Sequence, residues 1–390
     1  MDVTGFISRR LHFRGKTAVI SIALSFLVMI IAVSVSSGFR KEIRDAISSA
    51  AGDVRLIPSD MDWLSENSPI NRYPSYLPHV DSLRGVKSVS PVIYRAGIVK
   101  KDGIVHGVLF KGTETFIPSD SSSLAVSIPS RLADMLSSGP GDSFQAYFVG
   151  ERVKVRKFRI DSVYEALTEA DDRLVVYASL SDIRRINGWS EDQVSAFEIL
   201  LEEPYRSEET MKSIAAEIGA MTLLYSADED GSVISISAAE SEPQLFDWLA
   251  LIDFNVMVIL VLMTVVAGFN MISGLLILLF ENISTIGILK SLGMTDRAIA
   301  GVFLRSASSL VLKGMAAGNL LAFIFCAVQN ATHVITLDPE NYFISFVPVH
   351  LELFKILAAD AAAYLVIMLL LLLPSMFISR VDPAKTVRMS

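Results

Sequence analysis

FNVMVILVLMTVVAGFNMISGLLILLF, residues 254–280, contains no charged side chain, and how it is read decides the fold. A helix crossing a hydrocarbon core of about 30 Å needs roughly 20 apolar residues, so this run is long enough to span a bilayer. Three other runs qualify by the same measure: KTAVISIALSFLVMIIAVSVSS from 16, a stretch from about Val302 to Val328, and LFKILAADAAAYLVIMLLLLLPSMFI from 353 to 378. Hydrophobic residues make up 52% of the 390, charged residues 19%, and mean hydropathy is +0.48. That balance belongs to a membrane protein. The first run follows Arg9, Arg10, Arg14 and Lys16, as a signal peptide would. Its apolar region is too long for one, and no small-x-small cleavage signature follows, so an uncleaved anchor is expected.

The fold class that follows is an α-helical membrane protein with four transmembrane helices and a large exported mixed α/β domain between the first and second. In order, the expected segments are a cytoplasmic N-terminal segment (1–15), span one (16–38) and the exported domain (39–245). Span two with an outer stalk (246–280) leads to a cytoplasmic helix (281–300) and span three (301–329). An outer loop (330–352), span four (353–378) and a cytoplasmic tail (379–390) complete the chain. Lysine and arginine set the orientation: the first flank carries four, the 281–300 connection carries Lys290 and Arg297, and the tail carries Arg380, Lys385 and Arg388. The 329–352 loop has none. Both termini and the 281–300 connection are therefore placed in the cytoplasm. Residues 40–245 hold 22 Lys and Arg against 32 Asp and Glu. An acidic exported domain argues against nucleic acid as a partner.

Within that domain, 88–114 reads as two β-rich runs around KKDG, a hairpin signal. Residues 144–166 repeat the pattern, with alternation at Val153, Val155, Phe158 and Ile160. At 173–188 a strand precedes a helix capped by Ser181 and ended by Gly188, and 207–219 is a second capped helix. Residues 59–78, rich in proline and serine, read as a long surface loop. Catalytic chemistry is not signalled. RGKT at 14–17 lacks the earlier glycine of a phosphate loop, because Arg10 stands there. The five histidines form no ligand spacing, so no metal is expected, and Cys326 is the only cysteine.

The connection ENISTIGILKSLGMTDRAIA (281–300) is longer than two spans need. On a helix, Ile283, Ile286, Leu289 and Leu292/Gly293 share one side, extended by Ile288. Gly293 is placed to end this helix and Thr295 to cap the next. An interfacial helix on lipid headgroups is one reading. A docking helix for a cytoplasmic partner is the other.

The same stretch, continued to GVFL, resembles the E-x-x-x-IG-x-LK-x-LG motif of ABC transporter permeases of the FtsX/MacB type. FISRRL, SSGFRKEIRDAI, GMAAGNLLAF and SRVDPAKTVR resemble further family segments in chain order, with Ser37 and Val387 as mild departures. In the exported domain, GIVHGVLFKGTE and 140–166 resemble the lipoprotein-releasing permeases LolC and LolE, whose domain is of the MacB-like type. The resemblance implies that 281–300 is a coupling helix seated on a nucleotide-binding ATPase, with Glu281, Ile286, Gly287, Leu289, Lys290, Leu292 and Gly293 as coupling positions. The chain shows no ATP site of its own, and only about 15 residues precede span one. ATP and Mg are therefore expected on a separate LolD-like ATPase.

The other implied partners are a second permease chain completing a homo- or heterodimer, a lipoprotein substrate, a LolA-like periplasmic carrier and membrane lipid. A continuous helix from about Glu242 to Phe280 would be ~58 Å long, enough to transmit motion without a pore. Phe39, Phe246, Phe254 and Met257 are candidates for lateral acceptance of acyl chains, with ordinary packing as the alternative. Lys313 and Asp360 are candidates for an intramembrane ion pair. MacB-type efflux or peptide export and FtsX-like control of cell-wall hydrolases stand as alternative functions.

Overall fold

The computed structural model describes residues 16–60, 64, 66–101, 103–117, 124–150, 152–164, 174–227, 230–338 and 344–375. Expectations for residues 1–15 and 379–390 lie outside them. The chain divides into two units. A helical unit comprises residues up to Lys41, Leu249–Thr336 and the chain from Phe346 on; the other contains Glu42–Trp248 and Leu337–Ser345.

Helix α1 covers Lys16–Ala51. It runs thirteen residues past the expected end of span one and stops where Gly52 takes φ 73° and donates its N–H to Ser48 O. That left-handed geometry is one glycine adopts without strain. Strands β1 (Val54–Pro58) and β2 (Ile70–Asn71) follow, then helix α2 (Leu77–Asp81). The expected 59–78 loop thus contains a strand and leads into a helix. Next come β3 (Val86–Lys101), β4 (Ile104–Thr113), β5 (Ala125–Pro129) and α3 (Ser130–Met135). They are followed by β6 (Ser143–Phe148), β7 (Lys154–Tyr164), β8 (Val175–Ser179) and α4 (Leu180–Asn187). Short β9 (Gln193–Val194), β10 (Ala196–Leu201), α5 (Glu208–Tyr225), β11 (Val233–Ser237) and α6 (Ala238–Ser241) complete the α/β unit.

Helix α4 is capped at Ser179 rather than Ser181 and ends at Gly188. Helix α5 is capped by Ser207, whose side chain accepts from Thr210 N, and continues six residues beyond 219. The KKDG hairpin forms with Lys101 opposite Ile104 and Gly103 at φ 88°. Along β7 and the residue before it the expected alternation splits by parity: Phe158 and Ile160 are buried, whereas Val153 and Val155 are exposed. Odd and even residues of a strand face opposite ways.

The nine-stranded sheet has the order β11-β1-β10-β3-β4-β8-β5-β7-β6, and β6 pairs back onto β3. Strand β3 makes this possible through its length. Its first half, Val86–Val92, pairs with β10, and Ile93–Lys101 pairs with β4. The last six strands of that order, from β3 to β6, therefore close on themselves. An aromatic cluster of Phe110, Phe144, Phe148 and Phe158 fills this closure, with ring centroids 5.0–6.1 Å apart. A Cβ on Gly97 would lie 3.0 Å from Phe110 and 3.1 Å from Phe148. Gly97→Val is expected to destabilise the α/β unit by about 1–3 kcal/mol, the usual cost of overpacking. A denaturant melt of the isolated unit or of the full chain measures this.

Buried charge ties the last turn of α1 to the sheet. Lys111 Nζ donates to Ala50 O at 2.7 Å and to Glu198 Oε2 at 2.8 Å, and the Tyr94 hydroxyl donates to the same carboxylate. Burial pulls the Lys111 ammonium below its usual range, outweighing the opposing pull of Glu198. Asp53 accepts from Leu201 N at 2.8 Å, from Arg206 Nε at 3.2 Å and from Ser48.

The helical unit continues with α7 (Pro243–Glu281), α8 (Ile283–Ser291), α9 (Asp296–Thr332), α10 (Leu353–Leu370) and α11 (Leu372–Ser375). Among the described residues four helical stretches are long and apolar enough to cross a membrane: α1, α7, α9 and α10 with α11. Their shared core includes Ile22, Phe26, Met271, Leu275, Phe303 and Ile367. Helix α9 meets α1 through a G-x-x-x-G pair: a Cβ at Gly314 would lie 2.6 Å from Ile22 Cγ2, and one at Gly318 2.4 Å from Ala23 O. Small residues at this spacing let helix backbones approach closely.

Candidate functional site: the connection between α7 and α9

The α7–α9 connection is a helix set between two chain reversals. Asn282 separates α7 from α8, and its Nδ2 donates to Leu278 O at 2.9 Å. At the other end Gly293 takes φ 86°. Its N–H donates to Lys290 O at 2.9 Å while Met294 N donates to Leu289 O at 3.0 Å. This pair of bonds is a Schellman motif, which satisfies the last carbonyls of a helix. Two residues later the Thr295 side chain accepts from Ala298 N and starts α9. The sequence LGMTD thus stops one helix and starts the next.

The expected apolar stripe divides into two faces. Ile286 and Gly287 are buried, and Leu289 and Met294 pack against the core of the helical unit. These positions hold α8 to its own chain. The exposed side carries Ile288, 51% accessible, and Leu292, 78% accessible, with Glu281, Thr285, Ser291 and Gly293 beside them. Ile283 lies at the edge, 37% accessible. Residues 285, 288 and 292 share a helix face at i, i+3, i+7. Of the seven positions expected to take part in coupling, Glu281, Leu292 and Gly293 face outward, Ile286, Gly287 and Leu289 inward. Lys290 lies 2.9 Å from Asp296 and braces the turn into α9.

Residues 257–383 match the family model for the FtsX-like permease C-terminal domain. These residues are an FtsX-like permease domain. The chain is also similar over nearly its whole length to proteins named lipoprotein-releasing system transmembrane protein LolC. The one from Xylella fastidiosa strain 9a5c is 21% identical, with 98% of this chain and 95% of that protein covered. The one from Neisseria meningitidis serogroup B is also 21% identical, with the same coverage. Among solved structures, the periplasmic region of MacB from Actinobacillus actinomycetemcomitans is similar at TM-score 0.31 and 13% identity, covering 51% of this chain and 95% of that one.

Inside the FtsX-like permease domain the structure does not form the Lys313–Asp360 pair. Asp360 is buried and accepts from Asn319 Nδ2 at 2.5 Å, whereas Lys313 is exposed. The physical reason is helical phase: Asn319 and Lys313 are six residues apart, about 120° around α9. The side turned to α10 presents an amide. Nor do the four candidate acyl-contact residues form one surface. Phe39 and Phe246 are buried, at 7% and 6% accessibility, while Phe254 and Met257 are exposed on one side of α7.

Sequence reasoning missed a polar latch between α1 and α7. Asp253 pairs with Arg40 and accepts from Ser36 Oγ at 2.7 Å. Its signal was an acidic residue abutting an apolar run, opposite the arginine of SSGFR. The glycine of that motif also has a structural reason: a Cβ at Gly38 would lie 2.3 Å from Pro348 O.

Proposed function

We propose that this chain is the permease subunit of an ABC transporter that extracts lipoproteins from the inner membrane and passes them to a periplasmic carrier. The observation that carries this reading is the near-full-length similarity to LolC proteins, 98% of this chain against 95% of theirs. In this reading a separate LolD-like ATPase, holding ATP and Mg, seats on the exposed Ile288–Leu292 face of α8. The 39 residues of α7 extend about 58 Å, roughly twice a hydrocarbon core, and carry the motion toward a periplasmic α/β unit. A second permease chain completes the dimer. Both termini lie in the cytoplasm of a bacterium with a two-membrane envelope. Phe254 and Met257 are the acyl-facing candidates that are exposed on α7.

Depletion of the protein in its host, followed by separation of inner and outer membranes, tests the reading. Mature lipoproteins should accumulate in the inner membrane, and a copy carrying an altered α8 face should not restore sorting. Normal lipoprotein sorting after complete depletion, with no paralogue present, would overturn lipoprotein release and favour efflux or hydrolase control.

A further inference from the structure

Helix α9 carries a groove of about 420 Å³ lined by Arg305, Ser308, Ser309, Leu312, Lys313 and Ala316. We propose that this groove binds the headgroup phosphate of an anionic phospholipid, at the end of the span nearest α8. The inference needs only that α9 lies in a bilayer, so it stands or falls apart from the transport reading.

Residues 305, 309, 312, 313 and 316 fall on one side of a helix. Arg305, Ser309, Leu312, Lys313 and Ala316 are all exposed there. Ser308 forms the inner edge, its hydroxyl 2.7 Å from that of Tyr364. Among the described residues Lys313 has no ion-pair partner, and Asp360 is engaged by Asn319. The serines and Ala316 leave the space between the two cations open, and Leu312 supplies an apolar wall for the start of an acyl chain.

Depth along the helix favours a lipid over an acidic protein segment. Residues 314–332 contain no charged side chain. Placing roughly 20 residues in the hydrocarbon core sets that run across the membrane and leaves Lys313 at its boundary. Arg305 then stands about 12 Å further out, in the headgroup layer. Side chains on a helix lean toward its N-terminus, so Lys313 reaches toward Arg305, as lysines near span ends do when they snorkel. Lys313 and the accessible Ser309 hydroxyl then face the layer where phosphates lie, with Arg305 further out on the same side of the helix. Basic pockets of this kind, on membrane-spanning helices, recognise anionic headgroups.

Native mass spectrometry of the detergent-solubilised, delipidated full chain tests this. Phosphatidylglycerol and phosphatidylethanolamine with matched acyl chains are added separately. The wild type should bind phosphatidylglycerol roughly thirtyfold more tightly, as two favourable basic contacts provide. The R305Q/K313Q pair should lose that preference. S309E, which keeps both cations but places a negative charge between them, should lose it too, guarding against a variant that merely misfolds. Equal binding of the two lipids by the wild type, or a preference that survives both variants, overturns the proposal. A photo-crosslinker at Ala316 in native membranes should capture lipid. Capture of a protein chain in its place overturns the proposal in favour of a protein interface.

Discussion

Gly318→Leu is expected to prevent α1 and α9 from packing, lowering the melting temperature of the purified protein by roughly 6–12 °C or abolishing its accumulation in membranes. The first added carbon would already lie 2.4 Å from Ala23 O and 2.9 Å from Phe26 Cβ. The Ala23 contact is with backbone, so no rotamer change relieves it and the helices must separate. Separation matters more in lipid than in water, because lipid tails are as apolar as leucine and helix association rests on close van der Waals contact. Overpacking costs about 1–3 kcal/mol where neighbours can shift, and the larger side chain on a rigid partner sits at or beyond the top of that range. The temperature shift follows from about 2–4 °C per kcal/mol at this size. Gly301→Leu is the control on the same helix, because a Cβ there meets nothing within 4 Å. That variant should hold or slightly raise stability, since leucine is a better helix former than glycine. Equal melting temperatures for Gly318→Leu and the wild type would refute the close-contact account.

The four long apolar helices were legible in the sequence because hydrocarbon thickness imposes a minimum length on any apolar run. The helix expected from Glu242 to Phe280 is α7, Pro243–Glu281. The same logic could not show where α1 ends. Past residue 38 it becomes polar, and its stop is set by Gly52 together with the buried Lys111–Ala50 bond, a contact 61 residues apart in sequence. Closure of the sheet was hidden for a related reason: β3 reads as one strand, but its two halves serve different partners. At the candidate site the stop at Gly293 and the start at Thr295 were legible, because each depends on residues within one turn. The division of α8 into an inward and an outward face was not. Ile283, Ile286, Leu289 and Leu292 satisfy one helical stripe, and only tertiary packing decides that Ile286 is covered while Leu292 is bare. The Lys313–Asp360 expectation failed for the same reason, since a residue's place within an apolar run leaves its rotational phase undetermined.

Ile288→Glu combined with Leu292→Glu is expected to abolish co-purification of the partner ATPase and stimulation of its activity, with no loss of the folded permease. Both side chains are exposed, so carboxylates there meet water in the isolated chain and should cost little stability. In a docked complex the same two positions would enter an apolar groove. Losing two apolar contacts of about 1.5–3 kcal/mol each, and placing charges there instead, would weaken association by roughly a hundredfold to ten-thousandfold or more. Ile286→Glu provides the contrast. At 1% accessibility and within the core of the helical unit, it should unfold the connection and remove the permease itself. Lys290→Ala should fall between the two. It releases the tie to Asp296 and loosens the turn into α9, so ATPase binding should persist while its coupling to transport falls. Pull-down and ATPase assays on reconstituted complexes separate these outcomes. Undiminished ATPase binding by the double glutamate variant would mean that the partner seats elsewhere, and α8 would then be an interfacial helix resting on lipid.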